Sequence, residues 1–149
     1  NLDNEQVGII AAAYPTFWGI GQLFTGRMSD FYSKKKMLFW GMFIQGISIL
    51  ILPFTNSFIL LLSLSVLLGI GTAIVYPTFL TSIAEESSPI QRAETIGSFR
   101  LWRDLGYAIG ALLSGITADF FGISFSILLI GFITILSSIV IQLRMPYKL

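Results

Sequence analysis

Side chains able to do chemistry are sparse in this 149-residue chain and cluster in a few places. Gly26, Asp30, Lys34 and Lys35 stand at short intervals between two long uncharged stretches, and Arg100, Arg103 and Asp104 lie just before a third. An Asp in the first cluster suits the exposed amides at a neighbouring helix N-terminus, where the helix dipole favours negative charge. Lysines beside an apolar stretch hold a loop on one side of a bilayer, and an Arg–Asp pair at such an edge is expected to pair and snorkel. Histidine and cysteine are both absent. That excludes disulfides, thiolate or imidazole metal sites and His-based catalytic dyads within the chain, so neither a metal nor a cofactor is expected. An intramembrane enzyme would need carboxylates, histidines or a Ser–Lys pair at depth. None is found there, and the chain is read as no enzyme.

The elements that carry these residues are legible because charge disappears for long stretches. Residues 6–26, 37–84, 105–118 and 120–143 contain no Asp, Glu, Lys or Arg, and the second stretch is divided by Pro53, Phe54, Thr55, Asn56 and Ser57, a turn signal. The spans expected are 7–25, 37–52, 58–84, 97–118 and 123–143, most of them near the roughly 20 residues needed to cross about 30 Å of hydrocarbon. Composition agrees, with 54% hydrophobic residues and a mean hydropathy of +0.81. A soluble core of this size would show amphipathic helices with charged outer faces, whereas here whole segments are uncharged all round.

Counting the turns alternately places all nine lysines and arginines on one side. Arg27 and Lys34 to Lys36 fall in the first inner connection, Arg92, Arg100 and Arg103 in or beside the second, and Arg144 and Lys148 on the tail. Only Asp3, Glu5 and Asp119 lie opposite. Basic residues in short loops set orientation, so a multi-pass cell-membrane protein is expected, with the fragment's N-terminus outside and its C-terminus cytoplasmic. The basic residues are too few and too confined to the membrane edge for a nucleic-acid surface. The acidic and polar opening residues are unlike a cleavable signal peptide. The odd number of spans is read as the edge of a fragment whose preceding helices are missing.

With Gly26, Asp30, Lys34 and Lys35 in register, the first inner loop resembles that of the major facilitator superfamily of secondary transporters. The family pattern is Gly, three residues, Asp, a basic residue, one residue, Gly, then two basic residues; Phe31 replaces the first basic residue and Ser33 the second glycine. The resemblance implies that this loop latches the two halves of a carrier in its outward-facing state. The plainer alternative is that Asp30 caps a helix and the lysines set topology.

Gly69, Ile70, Gly71 and Thr72, with Tyr76 and Pro77 beyond them, resemble the family's fourth helix or its second-half counterpart, and Glu85 to Arg92 resemble its acidic, proline and arginine turn. Ser65 stands where the first half usually has an arginine linked to proton coupling. Ser88 as N-cap, Pro89 at the first helical position and Gln91 completing a capping box predict a helix from 89 to 118, about 45 Å long. The alternative is a short surface helix ending near Gly97, followed by a separate span. Gly106, Gly110, Ser114 and Gly115 form a small-residue face suited to close helix packing, as do Gly69 and Gly71. The first of these faces partly resembles an antiporter motif, but Ala111 replaces its proline.

The fold class implied is an all-α membrane protein, five helices forming most of one six-helix half of such a transporter, with residues 1–149 a partial domain. The degenerate loop, the missing arginine and the short basic tail favour helices eight to twelve over helices two to six. Substrate contacts are then expected from the first, third and fourth spans: Tyr14, Thr16 and Trp18, Thr72 and Tyr76, and Tyr107. The second and fifth spans face lipid. Arg100, Arg103 and Asp104 decorate a cytoplasmic gate, and residues bearing substrate or coupling charge are expected in the other half. The partners implied are the lipid bilayer, a small-molecule substrate and the other half of the transporter. The function implied is solute transport by alternating access; the alternative is a non-transporting membrane sensor or assembly subunit with the same fold.

Overall fold

A computed structural model describes residues 2–146, apart from the side chain of Asp30. The described residues form five helices: α1 (Asn4–Phe31), α2 (Lys34–Ile51), α3 (Phe58–Glu86), α4 (Arg92–Phe121) and α5 (Ile123–Arg144), with a 3₁₀ turn at Leu52–Phe54. The chain is an all-α, multi-pass membrane protein. Four of the helices, all but α4, are long and apolar enough throughout to cross a bilayer.

Capping and turn chemistry set the helix ends. Asp3 Oδ1 accepts from the amide of Gln6 at 2.7 Å while Gln6 Oε1 accepts from the amide of Asp3, a capping box that starts α1 three residues before the first expected span. At its other end α1 runs on to Phe31, so only Tyr32 and Ser33 separate it from α2. Gly26 and Asp30 therefore lie in the last turns of α1, and Lys34 and Lys35 in the first turn of α2, rather than in a loop between shorter spans.

The start of α4 also differs from its expected place. The Ser88–Gln91 hydrogen bonds form, with Ser88 Oγ 3.4 Å from the Gln91 amide, but they close a turn and the helix begins at Arg92. From there α4 is continuous to Phe121, which removes the alternative of a break near Gly97. Gly122 alone joins α4 to α5, at φ 88°, where a side chain would be strained.

Close approach of helices is set by small residues. A methyl group at Gly69 would lie 2.6 Å from the carbonyl oxygen of Tyr14, and one at Gly21 2.6 Å from the Cβ of Ala73, so α1 and α3 touch backbone to backbone. Gly41 meets Gly71 between α2 and α3, and Gly46 meets Gly131 between α2 and α5. Buried Ser48 and Ser138 return their hydroxyls to their own helices, so that neither leaves a polar group unpaired. The face bearing Gly106, Gly110 and Gly115 behaves differently: a methyl at any of the three meets nothing within 4 Å among the described residues. Ser114 is the exception, since its carbonyl accepts from Ser126 Oγ of α5.

Candidate functional site

Four helices converge on a cavity of about 740 Å³. Trp18 and Gln22 of α1 are one turn apart and share a helix face; so do Thr72, Tyr76 and Phe79 of α3, and Phe99, Arg103 and Tyr107 of α4. Met42 and Gln45 of α2 and Val75 of α3 complete the wall. The size falls within the range of about 300–1,000 Å³ usual for small-molecule sites, and the mixture of apolar wall and few polar groups suits one.

The electrostatics centre on Arg103. Its Nη1 donates to the Tyr76 hydroxyl at 3.1 Å, and its Nε and Nη2 lie 2.9 and 2.8 Å from Asp104 Oδ1. The guanidinium also sits over the rings of Tyr76 and Tyr107, 5.6 and 5.9 Å from their centroids, within cation–π range. Arg103 was expected to pair and snorkel at the edge. It does pair with Asp104, and it also forms part of the cavity wall.

Residues 1–148 match the Major Facilitator Superfamily. The chain belongs to that superfamily. It is 30% identical over 142 residues to an uncharacterised MFS-type transporter of Methanocaldococcus jannaschii, covering 95% of this chain and 37% of that protein. It is 26% identical over 163 residues to the 4-hydroxybenzoate transporter of Pseudomonas aeruginosa, covering 97% and 36%. It is 27% identical over 127 residues to an inner membrane transport protein of Escherichia coli, covering 85% and 30%. The chain thus spans about a third of the length of these curated relatives. As a member of the superfamily it is not an enzyme.

Within this superfamily fold, the residues singled out from sequence divide. Trp18, Thr72, Tyr76 and Tyr107 come together in the cavity wall. Tyr14 stacks on Trp18, ring centroids 6.1 Å apart, and lines a smaller cleft with Ile10, Leu61 and Ser65. Thr16 is exposed and its hydroxyl returns to the carbonyl of Ala12. Lys34 pairs with Glu85 at 2.8 Å, while Lys35 is largely buried beside Ser82 and Glu86. A methyl at Gly26 would meet nothing within 4 Å, Arg100 is exposed, and the side chain of Asp30 and all of Lys148 lie outside the described residues.

Sequence reasoning missed Gln22, Met42, Gln45, Val75, Phe79 and Phe99. Met42 and Gln45 bring the second helix into the wall, against the expectation that it faces lipid alone; α5 contributes no lining residue. Two signals were present. Gln22 and Gln45 are amides inside otherwise apolar helices, and Phe79 and Gln22 fall one turn from Tyr76 and Trp18.

Proposed function

We propose that this chain forms helices eight to twelve of a secondary carrier that moves a small solute across the cell membrane by alternating access. The cavity lined by α1 to α4 carries the reading. Three of its four walls come from helices long and apolar enough to cross a bilayer, α1 to α3, and binding near the interface of structural repeats is the general pattern for such carriers. The missing wall is supplied by the other half, and the exposed face of α4 with Gly106, Gly110 and Gly115 is a packing seam for it. The ends of the helices bearing Lys34 to Lys36, Arg92 and Arg144 lie in the cytoplasm, following the one-sided basic residues. Gly26, Asp30, Lys34 and Lys35 form the latch, and Arg100, Arg103 and Asp104 belong to the inner gate.

Cysteine accessibility tests this directly, because these 149 residues contain no cysteine and any elsewhere in the full-length protein can be replaced by serine. In the full-length protein, Gln45→Cys should react with impermeant thiol reagents from either side of the membrane, and added solute should shift the balance between sides. Reactivity from one side alone under every condition would remove the carrier reading. Asp30→Asn should slow flux while leaving insertion intact; unchanged flux would sink the latch.

A further inference from the structure

The polar groups around the cavity are unequal in kind. Among the described lining residues Arg103 is the one that carries a charge, and none is a carboxylate. A guanidinium has five N–H donors. Two are directed to Asp104 and one to Tyr76, which leaves two uncommitted among the described residues. Asp104 is three-fifths exposed and is not part of the wall, so it steadies the guanidinium from behind.

Tyr76 accepts from Arg103, and its own hydroxyl proton therefore remains to be given. Trp18 is donor only, and its buried Nε1 has no hydrogen-bond partner among the described residues. Thr72 spends its proton on the carbonyl of Leu68. Gln22 and Gln45 offer both functions, but the remaining polar groups are weighted towards donors. A site that presents donors and lacks anionic acceptors is complementary to an acceptor, and charge-assisted hydrogen bonds are the strong ones.

We propose that the cavity binds a small organic acid carrying a single carboxylate and an apolar body, with the carboxylate on Arg103 and Tyr76 and the body against Trp18, Phe79 and Phe99. This rests on reading the cavity as the transport site and names the class of solute it takes. A single negative charge is specified because the wall offers one cation, Arg103, and a second carboxylate would enter a largely apolar space with no charged partner. A cation would meet the guanidinium with no carboxylate in the wall to hold it. The apolar body follows from the Phe79–Phe99 pair, centroids 5.9 Å apart, and from Met42 and Val75 beside it.

The test uses the full-length protein in lipid nanodiscs and three probes of one shape: phenylacetate, phenylacetamide and phenethylamine. Titration calorimetry should show phenylacetate binding roughly tenfold or more tightly than either of the others, as the loss of a charged hydrogen bond implies. Arg103→Gln should abolish that preference, and Tyr76→Phe, which keeps the ring, should reduce it. Equal binding of acid and amide, preference for the amine, absence of acid binding, or acid selectivity that survives Arg103→Gln would each overturn the proposal. If Arg103→Gln does not insert, the selectivity of the unaltered protein and of Tyr76→Phe decides. Gln45→Cys accessibility, read in parallel, keeps the two readings apart: two-sided reactivity without acid binding would leave the carrier standing and remove the acid.

Discussion

The hydroxyl of Thr25 in α1 donates to the carbonyl of Ala73 in α3 at 2.6 Å. Ala73 lies four residues before Pro77, so its carbonyl is the one that the proline leaves without an amide partner inside the helix. Membrane helices tolerate proline where a neighbouring hydroxyl satisfies the freed carbonyl, and here the satisfying group comes from another helix. The bond sits beside the contact between Gly21 and Ala73, where close approach allows so short a side chain to reach across.

Thr25→Val removes that donor while keeping shape. It should destabilise the protein by about 1–2 kcal/mol, the range for an interhelical hydrogen bond whose loss strands a buried carbonyl. In a Pro77→Ala background the amide of residue 77 takes over the carbonyl, and the same substitution should cost less than about 0.5 kcal/mol. Unfolding of all four proteins in detergent gives the double-mutant cycle. Equal costs in both backgrounds would show that Thr25 acts by packing alone.

Gly69→Ala should cost about 1–3 kcal/mol, because the added methyl meets backbone atoms of Tyr14 and Trp18 that cannot swing aside. Separation of α1 from α3 would also shift Trp18, so its fluorescence should change. Gly8→Ala is the control. Its methyl meets nothing among the described residues and Gly8 lies outside the α4 seam, so no loss beyond about 0.5 kcal/mol is expected. A larger loss at Gly8 than at Gly69 would contradict the packing described.

The five helices and their approximate positions were legible because charge and apolar runs are local properties, read one residue at a time. The ends were less so, since Asp3 with Gln6 and Ser88 with Gln91 present the same capping signature, yet one opens a helix and the other closes a turn. Four of the eleven lining residues were visible, Trp18, Thr72, Tyr76 and Tyr107, aromatic or hydroxyl groups conspicuous in apolar helices. Arg103 as a wall residue was not legible. Its reach depends on the rotation of α4 against α3, which brings Tyr76 within hydrogen-bond distance and is invisible in spacing along either helix.

Lys34 and Glu85 each stand at the unfavourable end of a helix dipole, a cation in the first turn of α2 and an anion in the last turn of α3. Their 2.8 Å pair offsets both placements. Because Glu85 is more than half exposed, Glu85→Gln should cost no more than about 1 kcal/mol. Glu85→Lys should cost more by setting two cations together. Lys34→Glu combined with Glu85→Lys restores the pair with each charge at its favoured helix end, so thermal unfolding should show it at least as stable as the unaltered protein. Additive losses in the double variant would refute the dipole argument.

Phe79 is the one lining residue shared by the central cavity and a second cleft of about 370 Å³ bounded by Ser88, Gln91 and Thr95 near the start of α4. Its ring lies 5.9 Å from that of Phe99, tilted by 34°, so the two aromatic side chains stand together between α3 and α4. Removing the Phe79 ring would join the two spaces, and an aromatic pair of this kind contributes only about 0.5–1.5 kcal/mol beyond its burial. Phe79→Ala should therefore leave the fold intact while letting reagent pass. With Gln45→Cys as reporter, an impermeant thiol reagent added on the side of Lys34 to Lys36 should label several-fold faster in Phe79→Ala, with Phe79→Leu between that and the unaltered protein. Phe79→Trp should slow labelling. Identical rates across the series would mean that the barrier lies elsewhere, and that Phe79 contributes wall without contributing a gate.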